Sequence, residues 1–280
     1  MAVTADEILA GYDGSLGSEQ ALSWAAREAR SRGTVLTVCH ACAPGFPVLR
    51  DEAAVYDLVR RSGERVIASG RQAAQRVMGS GEVRPLLVEG SAAAVLCDRS
   101  DGADMVVVGS RGHGGVAGLR IGSVSSQVAA HAHGRVVVVR GHWRPAAGYA
   151  PGPIVIGADG SAASRAAVDF AFEEATLRDA ALLAVCALAD APSTLGDARQ
   201  RREDFEQAVS RWEKEHPEVA ILRRVTLGGA RDALLAAAHD AQMLVVGSRG
   251  RGGLQGMMLG SVSRAVLDHA PCPVAVVHSR

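Results

Sequence analysis

Two periods alternate along the chain. Short runs rich in Val, Ile, Leu and Ala, at 8–12, 35–41, 83–88, 105–108 and 136–140, read as strands, and helical spacing fills the stretches between them. Leu22, Ala25, Ala26 and Ala29 fall at i, i+3, i+4 and i+7, one apolar helix face. Ser18 stands ready to cap that helix, although Ala21 three residues on denies it a capping box. A second series of strands follows at 154–158, 181–188, 219–227, 243–246 and 274–278. The runs "MVVVG" and "LVVG" are apolar without a break, as strands covered on both faces must be. Five strands alternating with about four helices, twice, predict two α/β domains, each a doubly wound five-stranded parallel sheet. In such sheets a ligand lies beyond the carboxyl ends of the strands, at the switch point.

The series is a repeat. "ILAGYDGSLGSEQALSWAAREA" at 8–29 aligns with "IVIGADGSAASRAAVDFAFEEA" at 154–175, an offset of 146. "VVVGSRGHGGVAGLRIGSVSS" at 106–126 aligns with "LVVGSRGRGGLQGMMLGSVSR" at 244–264, an offset of 138. The eight-residue difference belongs in the divergent stretches 43–82 and 189–218. Between the copies, "GHWRPAAGYAPGP" at 141–153 has three prolines and three glycines and reads as a join. The expected domains are therefore 1–141 and 153–280, with a linker at 142–152.

The glycine run after the fourth strand carries the candidate chemistry. Gly109 and Gly112 can adopt positive φ and bring backbone to a ligand with no Cβ in the way. After nine intervening residues Gly122-Ser123 opens a helix, where the N–H groups of Ser123 and Val124 and the partial positive charge suit phosphate oxygens. The second copy keeps the spacing, with Gly247, Gly250, Gly260 and Ser261. A lone glycine run would be turn chemistry; G-x2-G-x9-G-S preserved twice, with different residues between, favours phosphate. Asp13 and Asp159 end the first strand of each copy in "GYDGS" and "GADGS". Each could accept from a ribose hydroxyl or a base amino group, or simply form an Asx turn or helix cap. Neither a P-loop nor a G-x-G-x-x-G fingerprint is present.

Composition narrows the function further. Lys214 is the only lysine, in a charged stretch, which leaves no Schiff-base lysine and no P-loop lysine. Thirty basic and thirty acidic residues give zero net charge, so nothing points to nucleic acid or an anionic membrane. The first residues lack a basic, then apolar, signal pattern, and no run of 18 apolar residues exists. Five cysteines, mostly inside strand-like runs, suit reduced thiols, and the expected location is cytoplasmic. Cys39-His40-Ala41-Cys42 contains C-x-x-C but lacks a second ligand pair for zinc and leaves a strand rather than opening a helix. His131, His133 and His269 sit near helix ends, where imidazolium suits the dipole. Arg111 and Arg249 occupy matching loop places and either screen phosphate or are solvated.

Together the doubled G-x2-G-x9-G-S and "DGS" resemble the universal stress protein family in its tandem form and its ATP-binding branch. The resemblance implies the adenine nucleotide alpha hydrolase-like fold, with strand order 3-2-1-4-5 and ATP, with or without Mg²⁺, over the strand ends. It implies that Asp13 and Asp159 hold the adenosine portion and that Ala41 and Ala187 present backbone to adenine. Val108 with Gly109, and Val246 with Gly247, would line the floor. Gly112, Gly122, Ser123 and Val124, and likewise Gly250, Gly260, Ser261 and Val262, would hold phosphates. It also implies pairing of the two domains through their last strands, "RVVVVR" with "VAVVH", and by analogy a homodimer. The copies differ in that Tyr12 faces Ala158, and "HAHGRVVVV" faces "HAPCPVAVV". No catalytic or metal constellation stands beside either loop. The expectation is a nucleotide-dependent stress regulator rather than an enzyme, the alternatives being a slow ATP hydrolase or a nucleotide-free dimerisation scaffold.

Overall fold

All ten expected strands form, each ending within two residues of its sequence-predicted limits. The computed structural model describes residues 7–43, 52–113, 120–140, 152–158, 164–188, 195–250 and 259–279. The chain divides into two compact units, Met1–Gly141 and His142–Arg280. Of the expected linker, 142–151 lies outside the described residues.

The first unit runs β1 (Glu7–Gly11), α1 (Leu16–Arg32), β2 (Val35–Cys42), α2 (Glu52–Met78), β3 (Val83–Glu89), α3 (Ala92–Arg99), β4 (Met105–Gly109), α4 (Ser123–His131), β5 (Arg135–Val139). Every pairing is parallel: β1 lies between β2 and β4, with β3 outside β2 and β5 outside β4. The order is 3-2-1-4-5. The second unit runs β6 (Ile154–Gly157), α5 (Arg165–Leu177), β7 (Leu182–Ala187), α6 (Leu195–Glu215), β8 (Ile221–Thr226), α7 (Ala230–Ala237), β9 (Met243–Gly247), α8 (Ser261–His269), β10 (Val274–Val277). Its pairings repeat that order, β8-β7-β6-β9-β10. Register places the length difference where expected. Strands β2 and β7 correspond at an offset of 146 and β3 and β8 at 138, so the change falls across α2 and α6, which have 27 and 21 residues.

Met105–Val108 of β4 and Val136–Val139 of β5 are buried on both faces, which is why their sequence does not alternate. Helix α1 buries the predicted face, Leu22, Ala25, Ala26 and Ala29, together with Ala21 and Trp24. Its cap differs from expectation. Ser15, not Ser18, is the N-cap, accepting from the Ser18 N–H at 3.2 Å, while the Ser18 hydroxyl donates to the Ser15 carbonyl at 2.9 Å. The far end closes on Gly33 at φ 66°, where the Thr34 N–H returns to Ala29 O at 3.0 Å.

One repeated feature escaped the pattern of apolar positions. Glu28 is buried on α1 and bonded by Arg32 Nε at 2.5 Å, and Glu174 on α5 is buried with Arg178 in the same i, i+4 relation. Each pair brings a charge into the interior with its partner supplied one turn later.

Candidate functional site

Strand order decides where the site opens. In the first unit β1 and β4 are neighbours, yet the helices that follow them return to opposite sides, so a crevice opens beyond Gly11 and Gly109. A cavity of about 250 Å³ occupies it, close to the lower end of small-molecule sites, roughly 300 Å³. Asp13, Ala41, Val108, Gly109, Gly112, Gly122, Ser123 and Val124, the whole predicted set of the first half, line this one space. They come from the ends of β1, β2 and β4 and the start of α4.

One wall is the N-terminus of α4. Gly122 is the N-cap and has no side chain to cap the helix, so among the described residues the first-turn N–H groups stay available toward the cavity. Two bonds fix this turn on the sheet. The Gly122 N–H donates to Ser110 O at 2.7 Å, and the Ser125 hydroxyl donates to Gly109 O at 2.5 Å. Ser125 was not among the expected residues; its place in "GSVSS" gave no sign that it anchors the helix to the strand.

Asp13 does two things at once. Its Oδ1 accepts from the Ser15 N–H at 2.9 Å, the Asx turn, and its Oδ2 accepts from the His113 N–H at 3.1 Å, tying the glycine loop to β1. Burial works to raise its pKa, but the hydrogen bonds from Ser15, Ser18 and His113 outweigh it and hold the carboxyl below its ordinary value. His113 Nδ1 stands 3.7 Å from Oδ2.

The glycines behave differently from expectation. Neither Gly109 nor Gly112 has a positive φ. A Cβ on Gly109 would lie 2.5 Å from the carbonyl carbon of Gly17 and 3.0 Å from Ser18 N, and one on Gly112 would collide with Asp13 Oδ2. The space these two leave is filled by the protein itself. Gly122 is the exception: among the described residues a Cβ there meets nothing nearer than Ser110 O at 3.5 Å, and their packing does not demand glycine.

On the β2 side, Cys39 and His40 join Ala41 in the lining. Burial pushes the Cys39 thiol up to about 11, against a lesser effect of Arg99, which makes it a poor nucleophile and ligand. All five cysteines are free thiols. Successive strand residues face opposite ways, so Cys39 and Cys42 cannot act as a pair from one face. His40 Nδ1 lies 2.8 Å from Tyr12 O. Tyr12 is buried, its ring against Gly70, and burial raises its hydroxyl pKa, only partly offset by Ser69. Nothing in the sequence signalled His40, because its contact spans two strands. His131 and His269 are accounted for locally, with Nδ1 at 2.8 and 3.0 Å from the carbonyls of Gln127 and Ala265. Arg111 lines the cavity from an exposed position.

The second unit repeats the anchoring. Gly260 N–H donates to Ser248 O at 2.8 Å, the Ser263 hydroxyl to Gly247 O at 2.7 Å, and Gly260 caps α8 with no side-chain bond. Ala187 ends β7, Val246 and Gly247 end β9 with Gly250 three residues on, and Ser261 and Val262 open α8. Asp159 lies outside the described residues. Among the described residues no cluster of three His, Cys, Asp or Glu suits a metal, and no helix is long and apolar enough to cross a membrane.

Comparison with known proteins agrees with this geometry. The model of the universal stress protein family matches twice, at residues 4–140 and 152–278. A universal stress protein of Mycolicibacterium smegmatis is 37% identical, covering 98% of this chain and 97% of its own. One from Mycobacterium tuberculosis is 35% identical, covering 96% and 94%. The crystal structure of a universal stress protein from Archaeoglobus fulgidus superposes with a TM-score of 0.74 at 19% identity over 98% of both chains, a likeness of fold. The chain belongs to the universal stress protein family, with two copies of its domain in tandem.

Proposed function

We propose that the protein binds ATP in each half and acts in the stress response as a nucleotide-dependent regulator, not a catalyst. The family supports a stress-response role. What supports nucleotide binding is a single observation: the cavity gathers uncapped first-turn amides of α4 and the Asp13 carboxylate at the switch point of one sheet. The amides of Ser123 and Val124 would take phosphate oxygens, Asp13 a ribose hydroxyl, and the backbone at Ala41 the base. Gly122 fits the reading, since its missing side chain serves no packing need. Ser261, Val262, Gly260 and Ala187 would act alike in the second half.

Turnover is not part of this reading. Both Asp13 oxygens already accept main-chain N–H groups, and its lowered pKa makes it a weak base. A cytoplasmic location and a homodimer fit the same picture as proposals.

Thermal denaturation with added ATP tests it. With ATP a hundredfold above its dissociation constant, stabilisation is about 2.7 kcal/mol per site. No shift, and no nucleotide released from native protein on denaturation, would leave a nucleotide-free scaffold. Steady-state turnover with Mg²⁺ near typical enzyme rates, roughly 10 s⁻¹, would make it a hydrolase instead.

A further inference from the structure

The first half holds a polar group that the nucleotide reading leaves without a task. His40 lines the cavity at the end of β2, and its ring is held from two directions. Nδ1 lies 2.8 Å from Tyr12 O, and the Cδ2 edge rests against α2, 3.3 Å from where a Cβ on Gly63 would stand. The Tyr12 carbonyl is itself fixed, because the neighbouring N–H donates to Cys39 O at 2.8 Å and the ring is buried.

A carbonyl oxygen only accepts, so Nδ1 carries the proton of the neutral imidazole, and Nε2 presents a lone pair. Among the described residues Nε2 has no hydrogen-bond partner. Strands β2 and β4 flank β1, so His40 stands roughly 10 Å across the sheet from the end of β4, where the glycine loop begins. That is the scale of a nucleoside with its phosphate at α4.

We propose that His40 selects the base in the first half, accepting at Nε2 a hydrogen bond from the exocyclic amino group of a 6-aminopurine. This rests on the nucleotide reading above. A 6-oxopurine places a carbonyl oxygen at the same point, so two acceptors face each other and the site is left unpaired. The second half lacks this selector. Ala158 N–H donates to Val185 O as Tyr12 N–H donates to Cys39 O, so Cys186 stands at the register position of His40. A buried thiol is a weak acceptor, and the second half discriminates less.

The test compares ATP with ITP by isothermal titration of the full chain at pH 8, above the ordinary titration range of imidazole. The expected result is one site that prefers ATP by roughly tenfold and one with a smaller preference. His40→Asn keeps an N–H for the Tyr12 carbonyl but has no counterpart of Nε2. It should bind ATP with the first-site preference gone, and His40→Gln, whose amide oxygen reaches further, should restore part of it. In ¹⁵N-imidazole spectra the resonance missing from His40→Asn should move with ATP and stay with ITP. Equal binding of ATP and ITP by the wild type, or an unchanged ratio in His40→Asn, overturns the role of His40 and leaves nucleotide binding intact. Failure of both nucleotides to bind overturns the two readings together.

Discussion

Gly109→Ala and Gly122→Ala separate the glycines that fold the loop from the one proposed to leave room for a ligand. At Gly109 the new Cβ would lie 2.5 Å from the Gly17 carbonyl carbon and 3.0 Å from Ser18 N. Carbon atoms in contact prefer about 3.5–4.0 Å, so the end of β4 and the start of α1 must part by roughly 1 Å. Both sides are main chain, so no rotamer change relieves it. The parting strains the Ser15 cap and the Asp13 turn, which share those residues. Overpacking of this kind costs about 1–3 kcal/mol. For a unit of this size that lowers Tm by roughly 3–12 °C. At Gly122 the nearest atom of the described residues is 3.5 Å away, and the cost is that of a poorer N-cap residue, about 1 kcal/mol or less. Calorimetry without nucleotide should therefore rank the variants wild type, Gly122→Ala, Gly109→Ala. Titration with ATP should show the reverse sensitivity, with Gly122→Ala losing affinity at the first site out of proportion to its stability. A Gly109→Ala protein that melts with the wild type would refute the packing argument. Gly122→Ala binding ATP undiminished would refute the role of that glycine at the phosphates.

Two further outcomes follow from charges. Asp13 has a lowered folded pKa, so its stabilisation is present above the unfolded value, about 3.9, and is lost as pH falls through the folded one. In urea titrations the gap between wild type and Asp13→Asn should hold from pH 8 to 5 and close below about pH 4; a gap that survives at pH 2 contradicts this. Glu174→Ala leaves the Arg178 guanidinium, 2% exposed, without its carboxylate and should cost about 3–5 kcal/mol. Replacing both by Met should recover most of it, and a single-variant loss under about 1 kcal/mol would show that the pair is not holding α5.

What could be read in advance was what repeats along the chain. Unbroken apolar runs marked the strands because parallel strands are covered on both faces, and the doubled glycine spacing marked the turns beyond them. What could not be read was which of several similar groups meets which. "DGSLGS" offers two serines, and only the path of the chain out of β1 makes Ser15 the cap. Gly109 and Gly112 were visible as glycines, but their reason lies in Gly17 and Asp13, nearly a hundred residues away in sequence. His40 was invisible for the same cause. Its partner is a carbonyl on the adjacent strand, and no side-chain pattern records a carbonyl.

The two halves agree at one end of the site and differ at the other. At the helix the bonds are copied within 0.2 Å: 2.7 and 2.8 Å from the N-cap glycine, 2.5 and 2.7 Å from the anchoring serine. At the β2 side the copies diverge, with Tyr12 and His40 in the first half against Ala158 and Cys186 in the second. A purely architectural role gives no reason for that division, since both ends belong to the same domain, which the chain carries twice. A ligand with a common anionic part and a variable remainder does. On the proposed reading the amides at the helix would recognise phosphate whatever it is attached to, and the side chains across the sheet would meet the part that distinguishes one nucleotide from another. Duplication would then yield two sites that share a charge requirement but set different terms for the base. Two such affinities in one chain would let it respond over a wider range of nucleotide concentration than two equal sites would.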